Sequence, residues 1–207
     1  MANQVNNVPS ALDLSLLTLN VRGLNNCKKR RSLFDRFRKQ KPDLVLLQET
    51  HSRENVVKEW DNEWGNEIIY SHGTNDSRGV CIMFKKGLDY VINDSVIDQM
   101  GRYIIINITV RSTGYSIINV YAPNKQNEQY VFYSKLSDII ERKCNVDPER
   151  ILIGGDFNIP LNPQIDKKGG IITGPNKANL ELQGLIAKFD LVDVWRVKNP
   201  NKIGFTW

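Results

Sequence analysis

The residues of this chain best suited to chemistry are polar groups that close apolar runs. Asn20 follows Leu14-Ser-Leu-Leu-Thr-Leu, and Glu49 follows Leu44-Val-Leu-Leu-Gln. Tyr121 closes Tyr115-Ser-Ile-Ile-Asn-Val, and Asp156 with Asn158 follows Ile151-Leu-Ile-Gly-Gly. Each puts a polar side chain where a strand stops, the end at which α/β sheets keep their ligands. A hard divalent cation such as Mg2+ takes oxygen donors, commonly one or two carboxylates, and completes its shell with water and substrate phosphate. Glu49 and Asn20 offer such donors. Phosphodiester hydrolysis also needs a group that orients or deprotonates the attacking water, and donors toward the developing negative charge. Asp156 suits the first task, and Tyr121 or Asn158 the second. A lone carboxylate at a strand end is usually a turn former or a cap, and Tyr121 alone reads as a cross-strand aromatic. Only the set points to phosphoryl chemistry.

The elements that must position these groups are readable from periodicity. Leu14–Asn20 reads as a strand, and Leu33, Phe34 and Phe37 fall at helical spacing behind Lys28-Lys-Arg-Arg31, with the cations on the other faces. Pro42 ends that helix, and Leu44–Leu47 is a wholly apolar strand, so the chain opens as a βαβ unit. Ser52 reads as the cap of a helix in which Val56, Val57, Trp60 and Trp64 are core. Beyond Gly65 the texture is all strand: Glu67–Tyr70, Val80–Phe84, Tyr103–Val110 and Tyr115–Tyr121, separated by turn signals. These predict antiparallel meanders, the last two strands forming a hairpin. An amphipathic helix follows over Gln129–Lys143. Next come a buried strand that stops on Gly154 and Gly155, where the chain can bend to present Asp156, and a polar loop over 162–174. A helix with Leu182, Leu185, Ile186 and Phe189 on one face closes this part.

Composition narrows the class. The 207 residues are 41% hydrophobic, enough for a real core, and no shift in composition marks a linker; residues 1–12 read as a flexible tail and 13–207 as one domain. The net charge of +5 leans mildly toward a polyanionic partner. Cys27, Cys81 and Cys144 are odd in number and far apart, which suggests neither a disulfide framework nor a zinc site. There is no apolar signal segment and no run of the ~18 apolar residues that a membrane span needs. A soluble protein of a reducing compartment, not secreted and without a membrane partner, is expected.

Five segments, Thr18-Leu-Asn-Val-Arg-Gly-Leu24, Leu47-Gln-Glu-Thr-His51, Ser77-Arg-Gly-Val-Cys81, Asn119-Val-Tyr-Ala-Pro-Asn124 and Gly154-Gly-Asp-Phe-Asn158, carry a resemblance in their order and separations. The chain resembles the endonuclease/exonuclease/phosphatase superfamily, and its wording is most similar to the endonuclease domain of LINE-type non-LTR retrotransposon proteins. That resemblance implies a four-layer α/β sandwich, two packed mixed β-sheets flanked by helices. It implies Glu49 as the ligand of Mg2+, with Mn2+ as an alternative, and Asn20 in support. Asp156 would align or deprotonate water, Asn158 would hold the phosphate and Asp156, and Tyr121 would stabilise the transition state. Asn124 and Thr206 correspond to residues that contact DNA. The reaction implied is nicking of double-stranded DNA to leave a 3′-hydroxyl that primes reverse transcription, in a protein synthesised in the cytoplasm and acting in the nucleus, fused to a reverse transcriptase and associated with element RNA.

The chain also departs from the family pattern. Members continue past Phe205-Thr-Trp207 with further strands and a Ser-Asp-His motif, so this chain is expected to lack its last strands and to be unstable or inactive as a fragment. His51 reads as a rim residue of the site, and His72 as a surface or satisfied core residue. The basic run Lys28–Arg31 reads as a solvated helix face more readily than as a DNA contact, whereas Lys167, Lys168 and Lys177 around the polar loop are the better DNA candidates. Rival readings are an abasic-site repair endonuclease, a phosphatase of the same superfamily, and a catalytically dead binding module.

Overall fold

β1 (Leu16–Asn20), α1 (Cys27–Gln40) and β2 (Leu44–Gln48) form the expected βαβ unit, with β1 parallel to β2. The computed structural model describes residues 14–166 and 176–203. α1 starts where the Asn26 side chain accepts the Lys29 N–H at 3.0 Å. It stops where Lys41 turns left-handed (φ 55°), ahead of Pro42. Along β2 the side chains alternate, and both faces are covered. Leu44 and Leu46 meet a second sheet, while Val45 and Leu47 meet α1 and α2 (Glu54–Trp64) through Phe34, Phe37 and Trp60.

β3 (Ile68–Ser71) and β4 (Val80–Phe84) complete the first sheet in the order β1-β2-β4-β3. The second contains β5 (Tyr90–Ile97), β6 (Tyr103–Val110), β7 (Thr113–Tyr121) and β8 (Ile151–Asp156) in chain order. β6 and β7 form the expected hairpin, and β8 runs parallel to β7. Leu44, Leu46, Val80, Ile82 and Phe84 pack against Ile104, Ile106, Ile108, Val110 and Ile117 to make the core between the sheets. The outer face of the second sheet is covered by α3 (Gln126–Lys143), through Leu136 and Ile140, and, past a short α4 (Pro163–Asp166), by α5 (Lys177–Lys188), through Leu185. A short α6 (Val194–Lys198) follows. The result is the four-layer α/β sandwich, two mixed four-stranded sheets among the described residues with helices outside both.

The structure differs from the periodicity in several places, each with a cause. β5 escapes the pattern because Asn93, Asp94 and Ser95 interrupt it, a register shift falls between Ile92 and Asp94, and the strand lies at a sheet edge. Ser52 does not cap α2: the N-cap is Arg53, without a side-chain bond, and Ser52 is buried against the Thr50 hydroxyl at 3.1 Å. Helix α3 begins three residues before Gln129, which is itself buried. β8 is only partly buried and runs through both glycines to Asp156 instead of stopping on them. The cations of α1 are not all solvated. Arg30 is 1% exposed, chelates Glu63 at 2.6 and 3.0 Å, pairs with Glu59 at 3.2 Å, and stacks over Trp60. The tail over 1–12, Lys167, Lys168 and Thr206 lie outside the described residues. No helix among the described residues is long and apolar enough to cross a membrane.

Candidate active site

Two parallel pairs, β1/β2 and β7/β8, bring four strand ends to one edge of the sandwich, with Asn20 opposite Gln48 and Tyr121 opposite Asp156. Across the gap between the sheets, the Asn20 amide donates from Nδ2 to Glu49 Oε1 at 3.0 Å and to Asp156 Oδ2 at 2.7 Å. Its Oδ1 accepts the Arg22 N–H at 3.1 Å. One side chain thus joins carboxylates from two sheets. The Tyr121 phenol is hydrogen-bonded to Glu49, and its pKa is pushed up to about 12, first by burial, then by Glu49. At neutral pH it is a donor.

Asp156 is held from the other side by the Asn158 N–H on Oδ1 at 3.0 Å. The Asn158 side chain donates to the Ala122 carbonyl at 2.8 Å, so it reaches Asp156 through the backbone. Arg22, Glu49, His51 and Asn158, none of them glycine, all have φ between 47° and 56°. Each such conformation costs on the order of 1–3 kcal/mol and persists only where its surroundings impose it. The two glycines of β8 answer to packing. A Cβ on Gly154 would come within 2.8 Å of Leu46 in the opposite sheet, and one on Gly155 (φ 150°) within 2.0 Å of the Val120 carbonyl.

Beneath the cluster lies a polar tie that periodicity did not disclose. Gln48 and Asn119, both buried, join the sheets: Gln48 Nε2 donates to Asn119 Oδ1 at 2.7 Å, and Asn119 Nδ2 donates to the carbonyls of Leu47 at 3.0 Å and Cys81 at 2.8 Å. Gln129 joins the loops after β7 and β8, donating to the Pro123 and Asn158 carbonyls, each at 2.8 Å, and Tyr133 donates to the Phe157 carbonyl. A polar side chain inside an otherwise apolar run was the available signal for Gln48 and Asn119.

The remaining candidates sit farther out. Asn124 is exposed on the loop from β7 to α3, and Lys177 is exposed at the start of α5. His51 lies at the site's rim, its ring against Gly23 and its Nε2 buried without a hydrogen-bond partner among the described residues. His72 is a satisfied residue: it stacks on Tyr70 and shares Nδ1 with the Ser52 hydroxyl at 3.1 Å, and burial lowers its pKa against the pull of Glu54. A polar cleft of about 610 Å³ opens between Arg53, Glu54, His72 and Asp98, away from Glu49 and Asp156. Within the basic run of α1, Arg30 and Arg31 hold Glu63 of α2, Lys29 donates to the Val21 carbonyl at 2.6 Å and Lys28 is exposed; farther on, Arg38 donates to the Trp64 carbonyl at 3.3 Å.

Among the described residues no three His, Cys, Asp or Glu side chains converge on one point. The donor set nevertheless suits a hard cation that brings most of its shell with it: the Glu49 carboxylate, with the Asn20 amide oxygen beside it. Asn20 bridges primarily through its nitrogen, so as a metal ligand it has only the second lone pair of Oδ1.

Stacked mixed sheets with an acid–amide cluster at their shared edge define a class of four-layer α/β sandwich. The chain belongs to the Endonuclease/Exonuclease/phosphatase family, whose model matches residues 17–191. It is 32% identical over 200 residues to the "Transposon TX1 uncharacterized 149 kDa protein" of Xenopus laevis, covering 94% of this chain but only 14% of that protein. In fold it is similar to an AP endonuclease from Archaeoglobus fulgidus, with a TM-score of 0.68 and 20% identity over 92% of this chain and 76% of the other. Humanized D. rerio TDP2 matches with a TM-score of 0.58 and 17% identity over 92% and 79%. D. rerio TDP2 complexed with single strand DNA product matches with 0.54 and 18% over 87% and 66%.

Proposed function

We propose that this chain is the nicking domain of a mobile element: a divalent-metal-dependent endonuclease that cuts one strand of double-stranded DNA and leaves a 3′-hydroxyl. The observation that carries the reading is the Asn20 bridge, which holds Glu49 and Asp156 at one edge beside a protonated Tyr121. The chemistry supports it in parts. Asp156, fixed by Asn20 on one oxygen and the Asn158 N–H on the other, aligns a water or takes its proton. Tyr121 turns its one O–H from Glu49 to a phosphate oxygen as negative charge develops there. The Asn158 amide, anchored on Ala122, turns its second proton toward the same phosphate. Glu49 with Asn20 would hold Mg2+ or Mn2+, which when bound supplies Lewis-acid polarisation of the phosphoryl group. The open position of the cluster suits a long polymer, and the net charge of +5 favours a polyanion. The likeness to a transposon protein supports a mobile element. In the whole protein, we propose, a fused reverse transcriptase extends the 3′-hydroxyl on element RNA in the nucleus.

The test is a parallel assay with Mg2+ on supercoiled plasmid, an abasic oligonucleotide and a phosphoinositide. Nicking of the plasmid by the longer protein that carries this domain, abolished in Glu49→Gln and Asp156→Ala, is the expected result. Phosphate release from the lipid alone, or plasmid binding without turnover that both variants retain, would overturn the reading.

A further inference from the structure

Arg102 has no part in the chemistry set out above, yet three site residues lean on it. It ends a turn built by Asp98, whose Oδ2 accepts the N–H groups of Met100 at 3.0 Å and Arg102 at 2.8 Å. Gly101 (φ 71°) lets this turn press against the loop after β3: a Cβ there would lie 2.5 Å from the His72 carbonyl oxygen and 2.8 Å from Gly79 N. The Gly101 carbonyl accepts the Gly79 N–H at 3.1 Å, and the Arg102 carbonyl accepts the Tyr121 N–H at 2.7 Å. The backbone of Arg102 is therefore pinned from three directions.

From that base the guanidinium lies 5.1 Å from the centre of the Tyr121 ring, and Nη1 donates to the Ala122 carbonyl at 3.3 Å. The same carbonyl takes the Asn158 amide at 2.8 Å, and the Ala122 N–H donates to the Asp156 carbonyl at 2.9 Å. Half-buried and without an ion pair among the described residues, this cation stands over an aromatic face and touches the node where the β7 and β8 ends are joined. An arginine kept only for stability would be expected to meet a carboxylate. Arg102 meets the site.

We propose that Arg102 is a positioning residue for Tyr121, its guanidinium fixing the ring so that the phenol addresses the reacting phosphate. The inference rests on the nuclease reading for the role of Tyr121.

Its test is a double-mutant cycle on plasmid nicking by the longer protein that carries this domain, with Arg102→Met, Arg102→Lys, Tyr121→Phe and the double variant Arg102→Met/Tyr121→Phe. A merely misplaced donor costs about 10- to 100-fold in rate, so Arg102→Met should lower kcat by that factor with KM little changed. Arg102→Lys should recover part of the loss, and the double variant should be no slower than Tyr121→Phe alone. Protein labelled with 3-fluorotyrosine gives a readout free of activity. The ¹⁹F resonance missing from Tyr121→Phe should shift in both Arg102 variants while the other tyrosine resonances stay. Independent, multiplying losses in the cycle, or an unmoved Tyr121 resonance, would overturn the proposal. Should Arg102→Met not fold, Arg102→Lys carries both readouts. A wild-type protein that cuts no DNA would instead remove the nuclease reading, and the resonance would still decide whether Arg102 holds Tyr121.

Discussion

The bond from Asn20 to Asp156 spans 136 positions of sequence and the gap between two sheets, and it makes an amide the centre of the site. An amide nitrogen between two carboxylates satisfies the facing lone pairs of both without adding charge. Asn20→Asp removes both donors and adds a third carboxylate at nearly constant volume. The added charge repels Glu49 and Asp156 in place of the bridge that held them together. The expected outcome is a loss of about 10²-fold or more in plasmid nicking at pH 7, of the size seen when one preorganised donor is removed. An Asn20→Asp protein as active as wild type at pH 7 would show the bridge to be incidental.

At the scale of elements, the site is only as ordered as the contact between β2 and β7. Gln48 and Asn119 sit in the apolar seam between the sheets and satisfy each other and two main-chain carbonyls. A half-satisfied buried network is worse than none, so removing one partner exposes the desolvation cost of the rest. Asn119→Ala is therefore expected to lower stability by about 1–3 kcal/mol in urea unfolding. It should also lower kcat, because the strand end that carries Tyr121 lies two residues on. Unchanged stability would mean that the sheets are held in register by apolar packing alone.

For the whole molecule, the response to acid runs through the half-buried His72 and two carboxylates remote from the site. Asp43 is 4% exposed and faces Ser15, Lys85 at 3.1 Å and Arg111 at 3.6 Å. Burial works to raise its pKa, but the Ser15 donors and the Lys85 ammonium together bring it below the ordinary 3.8. Glu63 falls below its ordinary 4.5 chiefly through the Arg30 hydrogen bond, with burial opposing and Arg31 assisting. Both folded values lie under the unfolded ones, so the unfolded chain takes up protons first as pH falls. The stabilisation is fully present above those ordinary values and is lost as pH drops through the depressed folded ones. The melting temperature should begin to fall below about pH 6.5, where the unfolded chain protonates His72 and burial keeps the folded one neutral, and should decline further below about pH 4 as the two carboxylates protonate. Asp43→Asn and Glu63→Gln should start lower and show a shallower acid slope; an unchanged slope in both would place the acid sensitivity elsewhere.

What the sequence by itself determined is most of the element order and the candidate list; the layers came from the family resemblance. Strand alternation, the βαβ opening, the β6/β7 hairpin and the polar residues that close each strand are local properties, set by side-chain period and turn chemistry within a few residues. Only the tertiary structure decided which of those strand ends meet. That depends on how two sheets stack and in what register, a matter of contacts between positions such as Gln48 and Asn119, 71 residues apart. The same reason hid the burial of Arg30, which needs Glu63 on a neighbouring helix, and the place of Arg102 over Tyr121. It also hid β5, whose polar middle makes sense only at the edge of a sheet. A period tells a side chain which face to take; the partner on that face is chosen by the fold.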